Sequence, residues 1–325
     1  MNLTILGTSI TYYSQYDLSE IVSKVQWFTS INSQAGKLTF EIQEDKAVFY
    51  RAGDIIEAFA DGKKFFKGKV FTRSKTKKGL WKITVYDNMR YLQSEDTISF
   101  SASTAAERFK KICEVAELPY KIGMKPSYKC AAVIADGKTY FSMLEDALNE
   151  TRKGANNSRY TVFDDVGILR FVALQELNTA FLLGDESLIT DYSYESTIDD
   201  AYNSVKVVRE DEKNKTRQIY SAKDNKTIAI WGKLQKVESA TDSDMNAKQL
   251  QQQANDALKA NNIETSTLSL DAVGNIGIRA GNSFNLLLSD LKREWKKDTR
   301  VALVQSCTHS FNPVHTMSME VEVVY

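Results

Sequence analysis

The strongest constraint on the fold is a short segment that occurs twice: residues 51–54 read RAGD and residues 279–282 read RAGN. An apolar strand pattern precedes each copy, LTFEI in the first and TLSL in the second. The same order then follows each: a short strand, a lysine-rich turn with an aromatic residue, an outgoing strand and a return strand. This recurrence predicts an internal repeat. Because identity beyond R-A-G is low, a chance similarity between two antiparallel β domains is the alternative interpretation.

The glycines of the repeat, Gly53 and Gly281, are expected where a strand enters a barrel at a sharp bend. Such a place requires a positive φ or has no room for a side chain. The alternative is a loop glycine with no strict requirement.

Hydrophobic alternation with a period of two predicts strands in the first third of the chain. Leu38, Phe40 and Ile42 alternate with polar residues, and Asp61 with Gly62 forms a strong hairpin signal. A second turn and the strand pattern WKITVYD complete an antiparallel meander. Residues 1–96 are therefore predicted to form a first β-barrel.

The hydrophobic period changes to that of a helix at residue 104. Thr104 with Glu107, and Ser142 with Glu145, have the spacing of capping boxes at the starts of two amphipathic helices. A hairpin is predicted around residues 165–167. Residues 97–188 are thus predicted to be an inserted α+β domain with two helices.

Strand patterns resume in residues 189–325, which are predicted to form a second β-barrel. At its carboxyl-terminal end, apolar and polar residues alternate strictly, and the apolar positions are Met317, Met319, Val321 and Val323. A polar helix with a narrow apolar stripe, predicted at 244–262, lies on a surface. The predicted fold class is mainly β: two related tube-like antiparallel β-barrels, an α+β insert and one surface helix within the second barrel.

Composition argues against several classes of protein. The 42 basic and 42 acidic side chains cancel, so no net field draws the chain to nucleic acid or a membrane. No apolar run is long enough for a membrane span, and the amino terminus lacks a signal-peptide pattern. Three cysteines, Cys113, Cys130 and Cys307, lack CxxC spacing and suit buried thiols in a reducing compartment.

Motifs for catalysis or metal binding are absent from the sequence, and no catalytic, cofactor-binding or metal-binding residue is predicted. His309 and His315 flank a probable hairpin and could meet across its strands, but no acidic or cysteine ligand stands at suitable spacing. The basic segment 73–82 contains Trp81 and could bind single-stranded nucleic acid, but it favours a solvated hairpin tip.

Two acidic pairs, Asp164–Asp165 and Asp199–Asp200, could in principle supply the carboxylates of a glycosidase. Both pairs are adjacent in sequence, and the first lies in a predicted turn, where aspartate is expected anyway. These pairs carry the alternative hypothesis of a cell-wall hydrolase.

Several short motifs occur in a fixed order and spacing along the chain: Gly53, Asp54, Phe66, Gly68, Val70, Tyr86, Asp87, Tyr91, Leu92, His315, Thr316 and Met317. In this order and spacing they resemble the baseplate hub proteins of contractile-tailed phages. The similarity is strongest to the hub family of the defective Bacillus prophage and of phage-tail-like bacteriocins, and it covers nearly the whole chain.

The resemblance implies a structural protein without enzymatic activity or cofactors. In such a hub a homotrimer presents six similar barrels, which join the sixfold tail tube to the threefold central spike. The implied partners are tube, spike and other baseplate proteins, with no specific nucleic acid and no membrane insertion. The chain is expected to be made in the bacterial cytoplasm and assembled into the particle, with edge strands pairing across subunits.

Overall fold

A computed structural model describes residues 1–31, 34–43, 51–77, 79–155, 158–211, 216–240, 245–295 and 299–324. They form two compact units. Met1–Ser193 together with Leu268–Tyr325 make the larger unit, and Tyr194–Thr267 make the smaller. The boundaries 1–96, 97–188 and 189–325 stay a prediction.

The first β unit is built from seven strands in the order β3-β4-β7-β6-β5-β1-β2, each antiparallel to its neighbours. The predicted alternation is confirmed in β4, where Leu38, Phe40 and Ile42 are buried in the core of this unit. The strands are β1 Leu3–Ser9, β2 Ser14–Asp17, β3 Val22–Ser30, β4 Lys37–Gln43, β5 Ile55–Ala60, β6 Lys63–Lys75 and β7 Leu80–Tyr86.

The predicted hairpin at Asp61–Gly62 connects β5 to β6. Both residues have positive φ angles, 48° and 78°, as a tight turn between twisted strands requires. A 3-10 helix, Asn88–Gln93, follows β7 and ends the first β unit.

An α+β region follows with two helices, and their apolar faces form a core with its strands. Its elements are β8 Glu95–Phe100, α1 Ala105–Val115, β9 Tyr120–Ile122, β10 Val133–Thr139, α2 Tyr140–Gly154, β11 Tyr160–Asp164, β12 Leu169–Ala173 and the 3-10 helix Leu174–Leu177. The predicted hairpin at 165–167 joins β11 to β12.

The two helix starts differ in how well the sequence predicted them. The capping box of Thr104 and Glu107 is confirmed at α1. The box at Ser142 and Glu145 is wrong: α2 begins at Tyr140, and the Thr139 hydroxyl accepts a hydrogen bond from the Ser142 backbone N–H at 3.1 Å. The earlier start buries the side chain of Tyr140 in the core.

The remaining elements complete the larger unit and form the smaller one. They are β13 Asn178–Gly184, β14 Ile189–Thr197, β15 Ser204–Asp211, β16 Thr216–Lys223, α3 Asn225–Trp231, β17 Gln235–Ser239, α4 Ala247–Asn261, β18 Thr265–Val273, β19 Ser283–Leu287, the 3-10 helix Ser289–Leu291, α5 Lys292–Trp295, β20 Arg300–Ser310 and β21 Thr316–Val324.

The smaller unit is a three-stranded sheet, β16-β15-β17, with α4 packed on it. Leu250 and Ala254 of α4 are buried against Val207 and Ala222 of the sheet. The polar helix predicted at 244–262 is therefore present as α4, with its narrow stripe buried; residue 244 itself lies outside the described residues.

The second β unit repeats the order of the first. Its strands follow the path β14-β18-β21-β20, and β20 also pairs with β19, which pairs with β13. A strand pairing joins the two β units into a continuous sheet: β20 pairs with β3 of the first unit. The mainly β fold class is thus confirmed, with its helices between and within the two β units.

Candidate functional site: the duplicated corners and the junction between the β units

The first RAG segment forms a tight corner that enters β5. Gly53 has a φ of 94°, and its N–H donates to the carbonyl of Val70 at 2.8 Å. The Val70 N–H returns a hydrogen bond to the carbonyl of Asp54 at 2.9 Å. The Asp54 carboxylate accepts from the backbone N–H of Arg51 at 2.8 Å and closes the corner.

The second RAG segment forms the same corner before β19. Gly281 has a φ of 92°, and its N–H donates to the carbonyl of Val304 at 2.9 Å. The Val304 N–H donates to the carbonyl of Asn282 at 2.9 Å. The Asn282 side-chain oxygen accepts from the backbone N–H of Arg279 at 2.8 Å. The corners are equivalent hydrogen bond for hydrogen bond, and the positive φ explains the glycine in each.

The strand pairing around the corners is also equivalent. The middle strand of each unit has a buried valine that pairs with equivalent residues on both sides. On β6 and β20, an irregularity in the pairing follows directly after the paired valine, Val70 or Val304. These pairs are Leu38–Val85 and Val85–Val70 in the first unit, and Leu268–Val321 and Val321–Val304 in the second. The repeat predicted from R-A-G is therefore a duplication of one β unit.

The fourth residue of each RAG segment, Asp54 or Asn282, forms a side-chain hydrogen bond to the strand beside its corner. Asp54 Oδ1 accepts from the N–H of Ile10, just after β1, at 3.0 Å. The Asn282 amide instead donates to the carbonyl of Leu177, just before β13, at 2.9 Å. β1 runs antiparallel to β5 but β13 runs parallel to β19, so the two corners meet opposite ends of a strand. An ionised carboxylate only accepts, whereas an amide can also donate.

The second corner lies against the junction between the β units. In this junction, Ser306–Ser310 of β20 pair with Gln26–Ser30 of β3. The Trp27 and His309 rings stack with centroids 5.2 Å apart, and both are buried. The Ala280 N–H donates to the Thr29 hydroxyl at 3.0 Å, which ties the corner to β3.

A cluster of charges also meets at this corner. The guanidinium of Arg279 lies 4.1 Å from the centroid of the Phe163 ring and donates to the carbonyl of Asp164 at 3.0 Å. The carboxylates of Asp164 and Asp87, both buried, lie close enough for their charges to interact with it. Three parts of the chain thus supply one cluster: Asp87 after β7, Asp164 from β11 and Arg279 from the second corner.

Burial dominates the electrostatics of both carboxylates. Burial raises the pKa of Asp87 well above the ordinary value, and the negative charge of Asp164 raises this pKa further. The positive charge of Arg279 lowers it and so opposes these two effects. Burial likewise raises the pKa of Asp164, opposed by backbone N–H groups of Gly167 and Asn88 and by Arg279. The Gly167 N–H donates to Asp164 Oδ1 at 2.6 Å. The cluster is enclosed and hydrogen bonded, which suits a structural tie between elements.

The histidines meet, as the sequence suggested they could. His309 Nδ1 lies 3.0 Å from His315 Nε2, and His309 Nε2 lies 2.8 Å from the carbonyl of Ile278 and 3.3 Å from Cys307 Sγ. Burial lowers the pKa of His309 to about 4, so its ring is neutral at neutral pH. Its Nε2–H then donates to Ile278, and its Nδ1 accepts from His315.

A metal-binding arrangement does not occur in the part of the chain that the structure describes: no group of three or more potential ligands converges there. All three cysteines are buried free thiols. Burial raises the pKa values of Cys113 and Cys307 to about 12, so neither is a reactive thiolate at neutral pH.

The other residues singled out in the sequence do not converge on one site. Asp165 is exposed and forms an ion pair with Arg170 at 3.0 Å, while its neighbour Asp164 is buried in the charge cluster. Asp199 and Asp200 are exposed and lie in the smaller unit. The described residues of the basic segment 73–82 include the end of β6 and the start of β7, which pair with each other on either side of the turn.

The sequence alone does not predict the charge cluster. It places Asp164 in a turn, and it singles out Asp87 only as part of a motif shared with the hub family. One local signal for Asp87 exists, because its side chain accepts from the Met89 N–H at 3.0 Å and caps the 3-10 helix. Its pairing with Asp164 and Arg279 depends on tertiary structure, which the sequence does not reveal.

Comparison with known proteins places this fold among phage tail proteins. The 43 kDa tail protein of prophage MuSo2 from Shewanella oneidensis superposes with a TM-score of 0.71 at 10% identity, covering 98% of each chain. The E. coli c3393 protein superposes with a TM-score of 0.53 at 8% identity, covering 94% of this chain and 74% of that one. It is described as a type VI secretion component structurally similar to the T4 tail proteins gp27 and gp5.

Sequence comparison gives the family. The YqbQ-like family model matches residues 25–322, and the chain belongs to that family. The phage-like element PBSX protein XkdQ of Bacillus subtilis is 26% identical over 299 residues, which cover 90% of this chain and 86% of XkdQ. The resemblance to phage baseplate proteins noted in the sequence is confirmed. Among the described residues, no helix has the length and apolar character needed to cross a membrane.

Proposed function

We propose that this protein is the structural hub subunit of a tail baseplate. Three copies form a ring in which six related β units alternate, two from each chain. One face of the ring continues the sixfold tail tube, and the other holds a threefold central spike. The partners are tube, spike and other baseplate proteins of a contractile phage or a phage-tail-like bacteriocin, and the chain acts mechanically as part of that particle.

The duplication is the observation that carries this proposal. A trimer of a chain with a single β unit has three equivalent positions, whereas this chain supplies two equivalent β units, each with its own corner. Three chains therefore present six similar surfaces in a ring with threefold symmetry. The junction of β20 with β3 shows that neighbouring β units can pair edge to edge.

A mechanical role also agrees with the chemistry of the described residues. Of the carboxylates considered for hydrolysis, Asp164 is buried and hydrogen bonded, and Asp165 is paired with Arg170. A glycosidase needs two carboxylates facing a substrate across a cleft. The pair Asp164–Asp165 therefore gives no support to the wall-hydrolase alternative.

The purified protein tests this proposal through its mass, its symmetry and its activity. Light scattering after size exclusion should give three times the 36.7 kDa chain mass. Electron micrographs viewed down the axis should show a ring with six similar lobes, and a zymogram on cell wall should show no lysis band. A monomer with a lysis band, or rings without threefold symmetry, would overturn the proposal.

A further inference from the structure

The α+β region exposes a run of apolar residues where its strand β10 begins. Residues 131–134 read AAVI, and all four are exposed. The exposed fraction is 43% for Val133 and 70% for Ile134. Because neighbouring residues of a strand point to opposite faces, neither face of β10 is covered at this point. Residues 131–134 therefore form an apolar strip with the character of an interaction surface.

The apolar strip has a strand partner along one edge alone in the part of the chain that the structure describes. β10 pairs with β8, which places Val133 opposite Phe100. The bridge between Cys130 and Ser103 continues the same register. The opposite edge of β10 is therefore open to an extended segment of a partner.

Two cations of α1 lie beside the apolar strip, over one aromatic ring. The centroid of the Phe100 ring is 5.2 Å from Cζ of Arg108 and 5.7 Å from Nζ of Lys111. Arg108 donates to the carbonyl of Ala131, and Lys111 donates to the carbonyl of Ser99 at 2.8 Å. Neither cation forms an ion pair with a carboxylate of the described residues. Positive charge therefore borders the strip.

Arg108 is buried without a counter-ion among the described residues. Its side chain is only 3% exposed, and its Nε has no hydrogen-bond partner there. The acidic residues that contact this region bind backbone instead: Glu107 accepts from the N–H of Thr104 at 2.8 Å, and Glu150 accepts from the N–H of Ala131 at 2.8 Å. Because a buried guanidinium without a counter-ion is destabilising, an acidic group from outside the chain would bind favourably.

We propose that the apolar strip and the two cations of α1 form a docking site for an extended segment of another protein, in which apolar residues alternate with acidic ones. The segment lies along the open edge of β10, and its apolar side chains cover Val133 and Ile134. Its carboxylates pair with Arg108 and Lys111. The site goes beyond the proposed function, because it lies in the α+β region and does not depend on the duplicated β units.

The chemistry of the site selects a protein segment over other occupants. Single-stranded nucleic acid binds through accessible aromatic rings on which bases stack, but the Phe100 ring beside the cations is only 6% exposed. The strip instead supplies aliphatic side chains, which pack against those of a partner. A second copy docked through the same strip would bring the cations of both chains together, which is repulsive.

Peptide binding to the full-length chain tests the site. The probe is a fluorescein-labelled peptide, GSVEVEVSG, measured by fluorescence anisotropy at low salt. Two matched peptides replace glutamate by lysine, GSVKVKVSG, or valine by serine, GSSESESSG. We expect the probe to bind with a dissociation constant below about 1 mM, and each matched peptide to bind at least about tenfold more weakly, because it lacks the charge or the apolar surface.

Substitutions at exposed positions assign the binding to this site. K111E places like charges opposite the glutamates, and I134S removes an apolar contact, so each should weaken binding of the probe about tenfold. The controls are K121E, an exposed lysine of the same region, and V237S, a valine of β17 that is 58% exposed. Both controls should bind as the wild type does, and circular dichroism should show a native fold for all four variants.

Several results would overturn the docking site. They are absence of saturable binding up to about 1 mM probe, equal binding of the lysine peptide, and equal weakening by the control variants. Displacement of the probe by an oligothymidine would assign the site to nucleic acid. Loss of a larger assembly in I134S, measured by sedimentation, would assign it to a second copy. The mass and symmetry of the hub are measured independently, so failure of this site leaves the proposed function standing.

Discussion

At the scale of single residues, the two corners show how one backbone motif acquired different side-chain roles. Arg51 and Arg279 occupy equivalent positions, but their surroundings differ. Arg51 is exposed, and its guanidinium donates to the Tyr12 hydroxyl at 3.1 Å. Arg279 is partly buried against Phe163 and neutralises two buried carboxylates. The duplication therefore provides a matched control within one chain.

Replacement of Arg279 by methionine should destabilise the larger unit by about 3 kcal/mol, because it leaves buried carboxylates without a counter-charge. The equivalent exposed change, Arg51→Met, should cost about 0–1 kcal/mol. Chemical denaturation at pH 7 measures both. Similar losses in the two variants would contradict a structural role specific to the charge cluster.

The pH dependence of Arg279→Met follows from the raised pKa values of Asp87 and Asp164. A carboxyl with a raised folded-state pKa binds its proton more tightly in the folded state. Its stabilising contribution is therefore fully present below the unfolded-state pKa and is lost as the pH rises through the folded-state pKa. Removal of the opposing Arg279 charge raises the pKa values of Asp87 and Asp164 further. The variant should regain stability between pH 7 and pH 5 relative to wild type; a constant difference would contradict this.

The corner glycines allow a second matched comparison. Gly53→Ala should cost about 1–2 kcal/mol through its positive φ, since a Cβ there would meet no atom within 4 Å. Gly281→Ala should cost more, because its Cβ would also lie 2.9 Å from Leu177 Cδ1. The denaturant midpoints measure the difference in stability, provided that the dependence of the unfolding free energy on denaturant concentration is unchanged. Equal losses would indicate that Leu177 moves aside freely.

At the scale of secondary-structure elements, local chemistry could be predicted and tertiary contacts could not. The alternation in β4, the Asp61–Gly62 turn and the Thr104 capping box depend on neighbouring residues, and each was predicted correctly. The start of α2 was misplaced because burial of Tyr140, a tertiary effect, determined it. The junction of β3 with β20 joins segments almost three hundred residues apart.

The start of α2 can be tested with a pair of alanine substitutions. Thr139→Ala should cost about 1 kcal/mol, because its hydroxyl accepts from the N–H of Ser142 and caps the helix. Ser142→Ala should change stability by less than about 0.5 kcal/mol, because residue 142 lies inside the helix. The free energy of unfolding from urea denaturation decides between the two starts. A larger effect at Ser142 would favour the capping box expected from sequence.

At the scale of the whole molecule, the duplication shows at which point of the repeat the smaller unit is inserted. In the first β unit, residues 31–36 connect β3 to β4. In the second, the equivalent strands β14 and β18 are connected by residues 198–264, which make up most of the smaller unit. The Thr265 hydroxyl donates to the carbonyl of Thr197 at 3.3 Å, so the two strand ends lie side by side. The smaller unit is thus an insertion into one hairpin of the repeat.

An insertion at a hairpin end should be dispensable for folding of the larger unit. Replacement of residues 198–264 by an Asn-Gly turn, which suits a two-residue hairpin, should leave the larger unit folded. It should unfold cooperatively, and the shorter connection lowers the entropic cost of closing the hairpin. Trp231 lies in the smaller unit, whereas Trp27, Trp81 and Trp295 lie in the larger. Fluorescence of the shortened chain therefore reports the larger unit alone, and loss of its cooperative transition would show that β14 and β18 depend on the insertion for their pairing.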